Sequence, residues 1–523
     1  ERLKEIAGIG ADLSEKIKEF YENGDIHYYQ ELLSEFPKEV LLMLKIPGLG
    51  PKTVKMLYQK LNITTIAGLK KMAEEGRLKE LPHIKEKTEQ NIIKGIELIK
   101  KGDERMVLGA ALPLAEEIIA ELKDLKEVKI INYAGSLRRM RETVRDIDIL
   151  AGSEKPQKVI DRFTSLGIVK KITAKGDTKA SILTDRDIQV DLRVVKRDEF
   201  GAALQYFTGS QNHNIHLRQI AQKKGLKVNE YGVFKQKTGE KIAGENEEDV
   251  YKSLGMSWIA PELREDRGEI ESAIREVLPK LIEIKDIKGD LHVHSDWSDG
   301  RYSLERIIEL GYKQGHRYIA ITDHSKSLGV AHGLDEERLI KQIAEIKKIE
   351  KRYKDFKILC GTEVDIKSDG SLDFGKDILN KLDIVVAAIH SGFKQDREKI
   401  TSRLLSAIES GLVDIIAHPS GRIIGERESY DVDWDKIFQA AAKYKVALEI
   451  SSHFLRLDLT DTNVMRAKKE GALFAINTDA HQEEHFAMLK YGVAVGRRGW
   501  LSKKDVINCL DHEKLVEFLK KRR

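Results

Sequence analysis

From Gly289 onwards, short apolar runs alternate with amphipathic stretches. The runs are DLHVH, RYIAITDH, KILCGTEVDI, LDIVVAAIH, VDIIAHP, VALEISS and LFAINTDAH. Seven of them, separated by helical patterns, predict seven βα units and a parallel sheet closed as a barrel. The C-terminal strand ends of a barrel converge on one site. Here metal-ligand types recur at those ends: His292, His294, Asp299, His324, Glu363, His390, His418, Asp479 and His481. His292 and His294 are i and i+2 on one strand, so both rings project to the same side, and Asp479 with His481 repeats the device on the seventh. Imidazole with carboxylate and no thiolate suits Zn²⁺, Mn²⁺ or Fe²⁺. Nine such groups are too many for one tetrahedral ion, so a cluster of two or three metals is expected, able to activate water and clamp a phosphate. His316, His332, His453, His485 and His512 do not fit the register and read as structural or solvated. His453 is set apart from the other four, because Glu449 and His453 lie after a strand.

The first hundred residues are different: short amphipathic helices broken by glycine. IAGIG at Ile6–Gly10 and IPGLG at Ile46–Gly50 each precede a helix start, and a third copy from Leu81 has lost both glycines. Gly8, Gly10, Gly48 and Gly50 allow a tight turn into a helix. The helix N-terminus then offers free N–H groups to a DNA phosphate without reading sequence. Lys52 adds charge at the second copy. These segments resemble helix-hairpin-helix motifs.

From about Met106 a helix leads into β-like runs, VKIINYAGS, DIDILAG, ASILT and DIQVDLRVV, as in an α/β or α+β catalytic domain. Asp146 and Asp148 face one side of a strand, and Asp191 lies on another. Three carboxylates so placed suit two Mg²⁺ ions at an attacking hydroxyl and a leaving pyrophosphate. Gly135-Ser136 ends a strand where a backbone turn can approach a triphosphate, and Arg138, Arg139 and Arg141 follow.

In order, G-S-x-R-R, D-x-D, the strand Asp and YFTGS resemble the family X DNA polymerases, the group of DNA polymerase beta, over nearly all of residues 1–260. The resemblance implies Asp146 and Asp148 as ligands of both metals (Mg²⁺ or Mn²⁺), and Asp191 as the carboxylate that helps activate the primer hydroxyl. It implies Gly135, Ser136 and Arg139 at the triphosphate, and Tyr206, Phe207 and Gly209 beside the nucleotide sugar. Asn214 would face the nascent base pair, Arg218 the template strand, and Glu230 and Tyr231 would register a closed thumb. Lys16 matches a position some members use as a Schiff-base lyase nucleophile, although Asp12, one turn earlier, would raise its pKa. The chain departs from the pattern at Arg145, where Gly is usual, at Gln189, where a basic residue is usual, and at Gln211, where Asp is found.

DLHVHSDWSDG, ITDH, GTEVDI, AAIHSGF, AHPSGR and NTDAH are similar to the PHP (polymerase and histidinol phosphatase) superfamily, over residues 289–523. That resemblance implies His292, His294, Glu363 and Asp479 at one metal, with Glu363 bridging to a second that His390 also holds. Asp299, His324, His418 and His481 would fill the remaining positions around two or three Zn²⁺ or Mn²⁺ ions.

The expected fold is multidomain α/β. Residues 1–35 form a lyase-like helix-hairpin-helix region with its natural start missing, and 36–104 a second, DNA-binding one. Residues 105–197 form a nucleotidyltransferase palm, 198–261 a thumb, 262–288 a charged helical linker, and 289–523 a distorted (β/α)7 barrel. The expected activities are filling of short gaps in DNA and hydrolysis of DNA phosphoesters, as 3′→5′ exonuclease, 3′-phosphatase or abasic-site endonuclease. Gapped or primed DNA and dNTPs are the expected partners of a monomer. A nucleotidyltransferase acting on RNA or small molecules is disfavoured by the glycine hairpins. A scaffold with dead catalytic domains would need a missing ligand, and none is missing. A small-molecule phosphatase is disfavoured by fusion to a DNA-binding half.

Composition bounds these readings. Ninety Lys+Arg against 86 Asp+Glu leave a net charge of only +4, so any nucleic-acid surface must be local. Two cysteines exclude a disulfide framework and favour a reducing, cytoplasmic setting, and scarce Cys and Met beside abundant Lys, Glu and Ile hint at a thermophile. No apolar run reaches the roughly 18 residues of a membrane span, so no membrane association is expected.

Overall fold

The computed structural model describes residues 11–23, 49–80 and 105–520, with Pro37, Val40, Met43 and Ile92. Gly8, Gly10, Gly48 and most of the third glycine-segment copy lie outside the described residues. The chain divides into two compact units, Glu1–Arg105 and Met106–Arg523.

In the first unit, α1 spans Ala11–Asn23, α2 Pro51–Leu61 and α3 Ile66–Glu74. Gly50 is the N-cap of α2, and Pro51 stands at the first helical position, where its missing N–H is harmless. Thr65 caps α3 by accepting the Gly68 N–H at 3.0 Å. Val54, Leu57, Leu69 and Ala73 make the inner faces of these helices and pack with Val40, Met43 and Ile92. The expected reason for Gly50 changes here. Its φ is −86°, which any residue adopts, so the turn itself does not require glycine. A Cβ on Gly50 would meet nothing within 4 Å, so its surface is open to an approaching group.

The second unit opens with α4, Leu108–Lys123, packed on a five-stranded sheet. Its strands are β1 (Ile130–Tyr133), β2 (Ile147–Gly152), β3 (Val169–Lys175), β4 (Lys179–Thr184) and β5 (Gln189–Val195), in the order β1-β2-β5-β4-β3. The run that forms β3 is exposed along most of its length, which is why its sequence lacks an apolar stripe and did not read as a strand. Helix α5, Gly135–Arg138, follows β1, and α6, Pro156–Thr164, covers β4 and β5. Helices α7 (Phe200–Thr208), α8 (Gln211–Lys223) and α9 (Glu247–Ser253) surround an antiparallel sheet of β6 (Leu226–Asn229), β7 (Gly232–Lys235) and β8 (Lys241–Ala243). The segment GVFKQKTGEKIAG forms the β7–β8 hairpin.

A buried ion cluster joins these parts. Glu247 accepts from Arg138 at 2.7 and 2.9 Å and from Arg264 at 2.6 Å, and Arg264 is fully buried. Burial alone would raise the Glu247 carboxyl, but the two guanidinium groups hold it well below the usual carboxylate range. Residues 262–288 differ from the helical linker expected. They carry one helical stretch of six residues, Glu269–Ile274, and fold inward instead of spanning solvent. The cause is specific burial of charge: Arg264 meets Glu247, and Glu269 meets the buried His213 at 2.6 Å.

The barrel strands are β9 (Gly289–Val293), β10 (Tyr318–Ile321), β11 (Lys357–Asp365), β12 (Ile384–Ala388), β13 (Ile415–Ile416), β14 (Ala447–Ser451) and β15 (Phe474–Asn477). All are parallel and neighbour one another in chain order. Helices separate them, and Ser303, Asp335, Asp396, Asp433 and Thr460 cap five of these by accepting the N–H three residues on. The first–last seam is bridged at Val293–Ala480, and the His294 N–H donates to the Ala480 carbonyl at 2.9 Å. Lower down, the buried Asn508 amide donates to Gly289 O at 3.0 Å and Ile476 O at 2.7 Å, and its oxygen accepts from Ile476 N at 3.1 Å. One side chain thus replaces ladder bonds that the strands do not make.

Two candidate active sites

The first site sits on the five-stranded sheet. Strands β2 and β5 are parallel neighbours, and their register sets Asp148 opposite Asp191, with Asp146 just before β2. Burial, with Asp146 and Asp191 beside it, pushes the Asp148 carboxyl up to about 7, against the pull of Lys179 and Arg139. Asp191 Oδ1 is buried without a hydrogen-bond partner, while Gln189 donates to its other oxygen at 3.2 Å. A buried carboxylate oxygen left unpaired among acids fits a divalent cation. Among the described residues, the groups of three or more acids and histidines whose ligand atoms all lie within 4.8 Å of one another are in the barrel, so the three aspartates stand more loosely spaced.

Gly135 enters α5 at φ +60°, and a Cβ there would fall 2.2 Å from Asp148 Oδ2. Ser136 is half-buried on the same turn. Arg139 does not face open space: its Nε donates to Glu265 at 3.1 Å, and its Nη1 bonds to the Thr208 carbonyl. The Phe207 ring lies 4.5 Å from the Arg193 guanidinium. Gly209 holds φ +68°. Asn214 donates to Tyr206 O at 2.7 Å and accepts from Gln205 at 2.8 Å, which ties the Tyr206–Gly209 turn to α8. Arg218 is exposed. Lys179 and Glu265 were not read from the sequence as site neighbours, since each is one charge among many until the sheet brings it in.

The second site lies at the C-terminal ends of the barrel strands. His292, His294 and Glu363 form one convergent group, His324, Glu363 and His390 a second, and His294, Asp299, His324 and His481 a third. Glu363, 1% exposed, is common to the first two. Its Oε2 is 3.4 Å from His292, 3.5 Å from His294 and 2.9 Å from His324, and its Oε1 is 2.9 Å from His418 and 3.3 Å from His390. Asp479 Oδ1 is 3.6 Å from His292 and 3.3 Å from His294. All nine residues expected from the strand ends are therefore gathered.

Several of their atoms are orphans. His292 Nε2, both nitrogens of His294, His324 Nδ1 and Glu363 Oε2 are buried without hydrogen-bond partners. His324 Nδ1 and Glu363 Oε2 are 2.9 Å apart yet not aligned as donor and acceptor. Atoms that approach without bonding to each other are aimed at a common point, as ligands of a cation are. Burial opposes ionisation of Glu363, but the surrounding imidazoles hold it well below the carboxylate range. The barrel end thus fits divalent metals.

The ligands are oriented from behind. Buried Glu449 accepts from His292 Nδ1 at 2.8 Å, from Asn477 at 2.9 Å and from the His418 N–H at 2.7 Å. Asp365, two residues after Glu363, fixes His390 Nδ1 at 2.8 Å. Such carboxylate–imidazole pairs set the tautomer that a metal requires. Asp365 was missed in the sequence. Glu449, expected just after a strand, lies within β14, and its signal was a lone charge inside the apolar run VALEISS. His453 and His485 sit beside the cluster, with rings 5.2 Å apart, but in none of its convergent groups. His316 is buried and His332 exposed, both apart from it.

Known families match in the same order. Residues 40–97 match the SAM-like helix-hairpin-helix tandem, 203–265 the DNA polymerase beta thumb and 290–453 the PHP domain. A DNA polymerase/3′-5′ exonuclease PolX of Bacillus subtilis (strain 168) is 39% identical over 521 residues, covering 99% of this chain and 91% of that protein. A probable phosphatase of Thermoanaerobacter sp. (strain X514) is 30% identical over 246 residues, 45% of this chain and 95% of its own length. A probable phosphatase of Shewanella piezotolerans is 33% identical over 206 residues, 37% of this chain and 77% of its own length. With two candidate sites in one chain and a relative matching almost end to end, this protein belongs to the family X DNA polymerases of bacterial type that carry a C-terminal PHP domain.

Proposed function

We propose that the chain fills short gaps in DNA at the aspartate site and hydrolyses DNA phosphoesters at the barrel. The observation that carries the first part is the register of Asp148 against Asp191 on adjacent parallel strands. Asp146, Asp148 and Asp191 would hold two Mg²⁺ or Mn²⁺ ions, and the nine barrel residues two or three Zn²⁺ or Mn²⁺. Ions so bound supply Lewis-acid stabilisation of phosphoryl charge. Asp191, whose Oδ1 is buried and unpaired, would receive the proton of the primer 3′-hydroxyl. The α5 turn at Gly135 and Ser136 offers backbone N–H groups to the triphosphate, joined by Arg139 once it leaves Glu265. Tyr206, Phe207 and Gly209 would line the sugar, Asn214 would fix that turn toward the base pair, and Arg218 would reach the template. The amides after Gly8, Gly10, Gly48 and Gly50, with exposed Lys52, would grip backbone phosphates. Lys16, half-buried on α1, is the residue to test for lyase chemistry. Functionally, we divide the chain at 1–35, 36–104, 105–197, 198–261, 262–288 and 289–523.

For the barrel, the name of the Bacillus relative supports 3′→5′ exonuclease action, while the relatives named as probable phosphatases, which match less than half of this chain, favour 3′-phosphatase action as a second reading. Asp191→Ala and His294→Ala, assayed on gapped and on 3′-phosphorylated DNA, test the assignment. Asp191→Ala should lose incorporation and keep hydrolysis, and His294→Ala should do the reverse. Equal loss of both activities in either folded variant would refute two separate sites.

A further inference from the structure

Asp479 turns its two oxygens in different directions. Oδ1 faces His292 and His294, while Oδ2 lies 3.8 Å from Arg456 Nε. Arg456 stands at the metal-site end of the barrel with its side chain 21% exposed. One carboxylate oxygen at that distance leaves most of a five-donor guanidinium available to another anion. The planar fork matches a phosphate better than any imidazole in the cluster does.

The loop carrying Arg456 is held rigidly, and partly from outside the barrel. The N–H groups of Arg456 and Leu457 both donate to His453 O, at 2.7 and 2.9 Å. Arg422 donates to Arg456 O at 2.8 Å and Leu457 O at 2.6 Å, and reaches Glu142 at 2.7 Å. Glu142 lies in the polymerase half, between α5 and β2. In the same loop Phe454 presses on α4 so closely that a Cβ on Gly109 would fall 2.3 Å from its ring. The polymerase half therefore clamps this loop at two points.

We infer that Arg456 positions the phosphate ester of a DNA 3′ end for hydrolysis at the barrel, and that Glu142, through Arg422, holds it in place. This rests on the phosphoesterase reading above. Arg456 is a positioning residue here, and not a metal ligand.

The test uses the full chain, with metal content measured on every preparation. Wild type, Arg456→Gln, Arg456→Lys and Glu142→Gln are compared on an oligonucleotide ending in a 3′-hydroxyl and on one ending in a 3′-phosphate, which separates diester from monoester recognition. Arg456→Gln should raise KM about 10- to 100-fold, the range of a lost charge-assisted hydrogen bond, on at least one of the two. Metal content and nucleotide incorporation should stay at wild-type levels. Arg456→Lys should recover part of the loss, and Glu142→Gln should shift KM the same way by a smaller factor. Unchanged KM in Arg456→Gln, or loss of bound metal, overturns the role, and an unaltered Glu142→Gln overturns the clamp. If wild type hydrolyses neither oligonucleotide, the functional reading falls instead. Calorimetric titration with inorganic phosphate then decides on Arg456: about tenfold weaker binding in Arg456→Gln supports the role, and equal binding overturns it.

Discussion

At Gly135 the backbone takes φ +60°, and the space a Cβ would need is occupied by Asp148 Oδ2, 2.2 Å away. Gly135→Ala must therefore displace the Asp148 carboxylate as well as strain the turn. Displacements near 1 Å cost rates about 10²-fold, so we expect incorporation to fall by about that factor or more, measured by single-turnover extension, while barrel hydrolysis is kept. Glu449 is the matching residue in the barrel. Glu449→Ala removes the acceptor that orients His292, and metal affinity should fall about 10- to 100-fold, read by metal retention against a graded chelator. Full retention would mean that His292 holds its orientation unaided. The two residues differ in legibility. Gly135-Ser136 could be read as a phosphate turn because glycine before a polar residue at a strand end is a local pattern. The partnership of Glu449 with His292 spans 157 positions, and no local pattern encodes it.

Among elements, the barrel seam is the most exposed to a single change. Asn508 is buried and serves Gly289 on the first strand and Ile476 on the last. Asn508→Ala leaves three buried backbone groups unpaired, each worth about 1–3 kcal/mol. We expect a loss of roughly 2–4 kcal/mol, allowing for relaxation and entering water, seen as a lower denaturant midpoint, with metal affinity reduced as the His292–Asp479 seam loosens. A midpoint within error of wild type would show that the strands close without it. The seven barrel strands were legible because each is an apolar run buried on both faces. Strand β3 was not, since its exposed residues repeat no apolar position. The stretch 262–288 read as a solvated helix because of its charge density, yet Arg264 and Glu269 are among the best-buried side chains of the second unit. Charge predicts exposure only when no buried partner of opposite sign is within reach.

For the molecule as a whole, Arg498 is one of the charges through which the two catalytic parts of the second unit meet. With its side chain 3% exposed, it reaches Glu265 at 2.9 Å, Asp461 at 2.6 Å and the Arg139 carbonyl at 2.7 Å. Glu265 also binds Arg139, so one acid links a proposed triphosphate residue to the barrel. Arg498→Ala would leave two largely buried carboxylates short of a partner, and breaking such pairs costs about 3–5 kcal/mol. We expect thermal unfolding of the second unit to separate into two transitions, barrel and polymerase part, by calorimetry. A single unshifted transition would show that the parts stay coupled without Arg498.

The sequence by itself determined the barrel, the second glycine segment, the strand placement of the aspartates and the nine metal-ligand residue types at the barrel strand ends. Each depends on local periodicity: i and i+2 share a strand face, and parallel strands end on one side. Only the tertiary structure decided that Asp148 pairs in register with Asp191, and that Glu449, Asp365 and Arg456 stand around the strand-end cluster. Those relations join residues far apart in the chain. They are set by strand order and by the need of each buried charge for an opposite partner, and neither leaves a mark on neighbouring residues.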